Sequence, residues 1–98
     1  MIVKNILAQL NEATRPISKI IKSGDSFKTI GIGLKKKVIW RDHQAAMPTK
    51  LLVVYGKVRY RQGEQTIELE KFEDLDIPVG IIHSLEAIVD SICILVQG

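Results

Sequence analysis

Phe72-Glu73-Asp74-Leu75-Asp76-Ile77-Pro78-Val79-Gly80-Ile81-Ile82-His83 is the stretch on which the fold turns. Leu75-Asp76-Ile77 alternates apolar and acidic residues, the pattern of a short half-buried strand. Pro78 fixes its own φ and Gly80 tolerates a positive one, so the two shape a turn that delivers His83 to the start of another strand. Toward the C-terminus, His83–Ala87 and Ser91–Val96 read as strands. Toward the N-terminus, Gln62-Gly63-Glu64 turns the chain into Gln65–Leu69. Leu51–Tyr55 and Val58–Arg61, separated by a tight turn at Gly56, predict a hairpin. Val38–His43 follows the turn at Lys35-Lys36-Lys37. Ile30, Ile32 and Leu34 alternate with Gly31 and Gly33, and Ile17–Lys22 runs into the turn Ser23-Gly24-Asp25-Ser26. Many short strands divided by polar turns, with no strand–helix alternation, predict an all-β sandwich or barrel.

The N-terminal segment differs. Val3, Ile6, Leu7, Leu10 and Ala13 fall at helical spacing, and Thr14-Arg15-Pro16 ends the run. The reading is residues 1–16 as a short helix or extended arm, and residues 17–98 as a β-domain. The 98 residues are 46% hydrophobic but only 5% aromatic, so the core is built from Ile, Leu and Val, and Ile and Val favour strands. No apolar run approaches the roughly 20 residues of a membrane span, and Met1–Ala13 lacks the apolar core of a secretory signal. The single Cys93 excludes an internal disulfide framework. These features predict a soluble cytoplasmic protein. The net charge of +3 is dispersed, without the basic stripe of a nucleic-acid reader, so neither nucleic acid nor membrane is an expected partner.

The quoted stretch, together with His43-Gln44-Ala45-Ala46-Met47-Pro48-Thr49-Lys50-Leu51-Leu52-Val53-Val54-Tyr55-Gly56, resembles the two cupin motifs, G-x5-H-x-H-x3,4-E-x6-G and G-x5-P-x-G-x2-H-x3-N. Pro78, Gly80 and His83 match the second motif at the expected spacing; His43 and Gly56 match the first. The resemblance covers roughly residues 30–96 and implies the double-stranded β-helix, or jelly-roll, barrel. It departs at Lys37 and Phe72, which replace glycines, at Ala45 for the second histidine, at Thr49 for the glutamate, and at Ala87 for the final asparagine.

In cupins the three histidines and the glutamate hold a divalent metal inside the barrel. Here only His43 and His83 remain, Ala45 has no donor atom, and Thr49 offers a neutral hydroxyl, so the expectation is no metal or a weakly bound divalent one. Asp42 and Gln44 lie on the opposite strand parity. A complete site requires a bulge, a register shift or a ligand from elsewhere. The expected pocket comprises His43, His83, Arg41, Thr49 and Tyr60. Parity from His43 carries Arg41 and Ile39 inward; parity from Thr49 carries Leu51, Val53 and Tyr55; Val58 and Tyr60 follow past Gly56. Arg41 suits a carboxylate or phosphate, or else reaches from the rim to solvent. Tyr60 offers a hydroxyl to a ligand or is a satisfied core tyrosine.

Among the remaining residues, Trp40 alternates against His43 and is expected outside the barrel. Cys93 reads as a core residue, Lys35–Lys37 as a solvated turn, and Lys57, Arg59 and Arg61 as a basic face protecting a sheet edge. Three functions compete. The first is a small-molecule-binding cupin with an incomplete metal site, non-catalytic or weakly catalytic, for a small and anionic ligand. The second is a metal-dependent oxygenase or isomerase using His43 and His83. The third is a dimerisation platform, since the resemblance favours a homodimer, with residues 3–13, Leu52 and Val54 as contact surfaces.

Overall fold

The computed structural model describes residues 1–98, the side chain of Asp42 excepted. Helix α1 (Ile2–Gln9) passes through a 3-10 turn (Leu10–Glu12) and is followed by β1 (Ile17–Ser23), β2 (Lys28–Leu34), β3 (Ile39–His43), β4 (Thr49–Tyr55), β5 (Lys57–Gln62), β6 (Gln65–Glu70), β7 (Asp74–Ile77), β8 (His83–Ala87) and β9 (Ser91–Gln97). The strands form two antiparallel sheets, one ordered β1-β2-β9-β4-β7 and the other β3-β8-β5-β6. Alternate residues along each strand point between the sheets. Ile32, Leu34, Leu51, Val53, Cys93 and Leu95 from the first meet Val58, Tyr60, Leu69, Leu85 and Ala87 from the second in one buried core. Cys93 is fully buried there, and burial pushes its thiol up to about 12, so it is an inert core residue.

The expected hairpin around Gly56 does not form. β4 pairs with β7 and β9, whereas β5 pairs with β6 and β8, so the chain crosses from one sheet to the other between them. Gly56 makes that corner at φ +81°, and a Cβ there would collide with the Asp90 carbonyl and with Ser91. The Lys57 N–H donates to Ser91 Oγ at 3.0 Å, and the Ser91 hydroxyl donates to the Val89 carbonyl at 2.7 Å. A glycine between two apolar strands marks a tight bend in either case, and only long-range pairing decides which. The true hairpin is β5–β6, closed at Gly63, which has φ +58°.

The N-terminal segment is a helix, seated on the outer face of the first sheet. Ile6 and Leu10 bury against Ile92, with Ile2, Ile17 and Val54 around them. Gly31 and Gly33 lie beneath Ile6, and a Cβ on Gly33 would run into Ile6 Cγ2. The helix therefore docks by an Ile2–Ile6–Leu10 ridge, while Val3 and Leu7 stay exposed. Among the described residues, no helix is long and apolar enough to cross a membrane.

Lys57 and Arg59 do not guard an edge, because β5 is an interior strand. Lys57 pairs with Glu68 and Glu70 at 3.4 and 3.6 Å, and Arg59 with Glu68 and Glu86 at 3.0 and 3.2 Å, tying three strands together across the outer face. These are cross-strand partners on one sheet face.

Candidate functional site

The two quoted stretches are clipped together by backbone. Ala45 bridges Val79 in parallel, and the Gly80 N–H donates to the Ala45 carbonyl at 2.9 Å. This places the start of β8 beside the end of β3, with His43 paired directly to His83. The four positions of the cupin ligand set, His43, Ala45, Thr49 and His83, line one cavity of about 190 Å³ at the mouth of the barrel.

A β-bulge shapes this cavity. Trp40 opposes Leu85 and His43 opposes His83, so β3 spends three residues where β8 spends two. The spare residue breaks the alternation and brings Trp40 and His43 to the same, inner, side. Trp40 is thus inside rather than outside: it packs on the core, lines the cavity and lies 3.9 Å from the His43 ring, centroid to centroid. The same bulge removes Arg41 from the pocket, where its side chain is exposed and forms no part of the lining. Parity carried back from His43 across an unseen bulge gave the inverse assignment. Ile39 likewise lies with Arg59, Arg61, Ser84 and Glu86 on the outer side. Tyr55 is exposed, past an irregularity between Val53 and Tyr55. The Asp42 side chain lies outside the described residues, while Gln44, beyond the end of β3, does line the cavity.

His83 is 5% exposed. Its Nδ1 sits 3.3 Å from the Ile81 carbonyl, which can only accept, so Nδ1 carries the hydrogen and Nε2 remains an acceptor. Burial holds the imidazole below its ordinary pKa of 6.5, outweighing the opposing effect of the Ile81 bond, so His83 is neutral at pH 7. Thr49 is buried and its hydroxyl donates to the Met47 carbonyl at 2.9 Å. Tyr60 stacks on His83 at 5.8 Å but stands behind it: its hydroxyl donates to Gln62 Oε1 at 2.8 Å, and it is not in the cavity lining. Burial raises its phenol pKa.

Lys28, Ile30, Ile77, Leu95 and Gln97 complete the lining. Strand parity alone carries the signal for Lys28 and Gln97, which the cupin motifs do not include. Lys28 shares the parity of Ile30, Ile32 and Leu34, and Gln97 that of Cys93 and Leu95, and the two residues pair across β2 and β9. A shallower groove of about 530 Å³, walled by Ile81, Ile82, Arg61 and Ser84, adjoins the cavity through Gln44 and His83.

No family model and no curated protein matches the sequence. Solved structures do. A cupin superfamily protein from Desulfitobacterium hafniense is similar with a TM-score of 0.82 at 14% identity, over 88% of this chain and 79% of that one. An RmlC-like cupin from Desulfovibrio desulfuricans gives 0.77 at 17% identity, over 87% and 88%. A cupin-2 domain protein from Shewanella frigidimarina gives 0.75 at 16%, over 96% and 89%. The chain has the cupin fold.

Among the described residues, the four motif positions hold two of the donors with which cupins bind a divalent metal. Such ions take at least three protein ligands. Here two positions carry imidazoles, one carries a methyl group, and one a hydroxyl already committed to a backbone carbonyl. The His43 and His83 ring centroids are 6.4 Å apart. Among the described residues, no three His, Cys, Asp or Glu side chains gather elsewhere.

Proposed function

We propose that this cupin-fold protein is a small-molecule-binding module, a sensor or stand-alone carrier, whose cavity works without a tightly held metal. The observation that carries the reading is the convergence of all four motif positions on a cavity that retains only two of their donors. The pocket pairs apolar walls from Ile30, Ile77 and Leu95 with a few polar groups from His43, His83, Gln44, Gln97 and Lys28. That is the make-up of a small-ligand site. A neutral His83 with Nε2 as acceptor binds a ligand donor; without a nucleophile beside it, the site orients more than it reacts. The working setting is the cytoplasm and the assembly a homodimer; of the contact surfaces expected, the apolar ridge of α1 and Val54 pack on each other, which leaves the part-exposed Leu52 for the contact.

The test is elemental analysis of the purified, untagged protein after incubation with nickel, zinc, manganese or iron(II) and removal of excess. The expected result is metal well below one equivalent in every case. Near-stoichiometric metal, lost in both His43→Ala and His83→Ala, would overturn the reading in favour of a metal-dependent oxygenase or isomerase.

A further inference from the structure

We infer that the cavity selects a small organic monocarboxylate, with Lys28 supplying the countercharge. The inference rests on the binding-module reading and adds the ligand's chemical class. Among the described residues of the lining there is one full cation, Lys28, and no carboxylate. Lys28, like most lysines of the chain, makes no ion pair with a described residue; what sets it apart is its place in the cavity lining. It is partly buried, and its stem lies on the inner face of β2 beside Ile30. A cation in the lining of a cavity with no described carboxylate leaves its countercharge to be supplied by a ligand.

The other polar groups fit the same ligand. The Gln44 and Gln97 carboxamides can donate to carboxylate oxygens. The His83 acceptor at Nε2 suits a neighbouring hydroxyl or N–H of the ligand. The volume suits a small ligand: 190 Å³ corresponds to roughly six waters at liquid density, room for a small acid, and anything larger would have to extend into the adjoining groove. One ammonium balances one carboxylate, whereas a phosphate dianion calls for further cations or an arginine fork.

The chain's one tryptophan, Trp40, forms part of the cavity wall, so its indole N–H resonance reports occupancy without any label on the ligand. Acetate, propionate, lactate and benzoate are titrated against acetamide, propionamide, lactamide and benzamide, with inorganic phosphate as a further probe. The wild-type protein is expected to bind at least one acid roughly ten- to a hundredfold more tightly than its amide. Lys28→Met is expected to abolish that preference and Lys28→Arg to restore part of it, with the amide spectrum of each variant confirming the fold. Equal affinity for acids and amides, a preference that survives Lys28→Met, or tighter binding of phosphate would overturn the inference and leave the binding-module reading standing. If no probe moves the Trp40 resonance, the inference is overturned, while the binding-module reading stands or falls separately on the metal analysis.

Discussion

Lys37 and Phe72 both sit at φ +72°, and among the described residues they are the two non-glycines with positive φ. Each stands where a motif glycine is expected, and Gly56 and Gly80 hold the other two glycine positions at +81° and +77°. The barrel has kept the left-handed turns while losing half of the residues that adopt them freely. Backbone bonds enforce the conformation: the Lys37 N–H donates to the Ala87 carbonyl at 2.8 Å and the Phe72 N–H to the Val53 carbonyl at 2.6 Å. Left-handed geometry costs an ordinary residue about 1–2 kcal/mol, partly offset by glycine's greater freedom when unfolded. Lys37→Gly is therefore expected to stabilise the fold by up to about 1 kcal/mol, read as a higher urea midpoint at unchanged slope. His83 gives a second prediction. Its pKa is lowered in the folded protein, so below pH 6.5 the unfolded chain takes up a proton that the folded one resists. Stability is then full above pH 6.5 and falls as the solution is acidified toward the folded pKa. Urea melts across that range should show the slope in wild type and lose its His83 share in His83→Gln. Unchanged slopes would mean that the ring is solvated.

Two elements are tuned by single positions. The bulge in β3 decides which side chains face the cavity, and no residue type between Trp40 and His43 announces it. That is why the sequence yields the strand but misplaces Arg41 and Trp40. By contrast, β8 throughout and β4 as far as Val54, where buried and less buried residues alternate, are legible residue by residue, down to Thr49, Leu51 and Val53 facing in, and the reading fails again at Tyr55, past the irregularity in β4. The helix depends on the glycines of β2. Alternating Gly31 and Gly33 with Ile30, Ile32 and Leu34 looks like a weak strand until α1 is seen resting on the missing side chains. Gly33→Ala is expected to lift the helix and cost about 1–3 kcal/mol. Shortening the opposing side chain with Ile6→Ala should recover part of the loss, so the double mutant will be less destabilised than the sum of the singles. Strict additivity in denaturation would show that Ile6 does not rest on Gly33.

At the scale of the whole molecule, the placement of four motif positions around one cavity is the property the fold preserves. It yields a constructive test. Ala45→His with Thr49→Glu rebuilds the four-ligand set, and the double variant is expected to retain nickel or zinc near one equivalent where the parent does not. Failure of a folded double variant to retain metal would show that the four side chains do not converge. The barrel itself was legible because its signals, proline, glycine and alternating apolar residues, act locally and survive substitution. The ligand set and the sheet crossing at Gly56 were less so, because both depend on strands distant in sequence.

The position of β9 between β2 and β4 has a consequence for synthesis. It is the last of the nine strands to leave the ribosome, yet it supplies the middle of the five-stranded sheet. Until it emerges, the β1–β2 ribbon has no place to dock and β4 waits with an open edge. A nascent chain stalled before Ser91 thus carries two unpaired strand edges and an uncovered apolar face, the state in which chaperone capture or aggregation competes with closure.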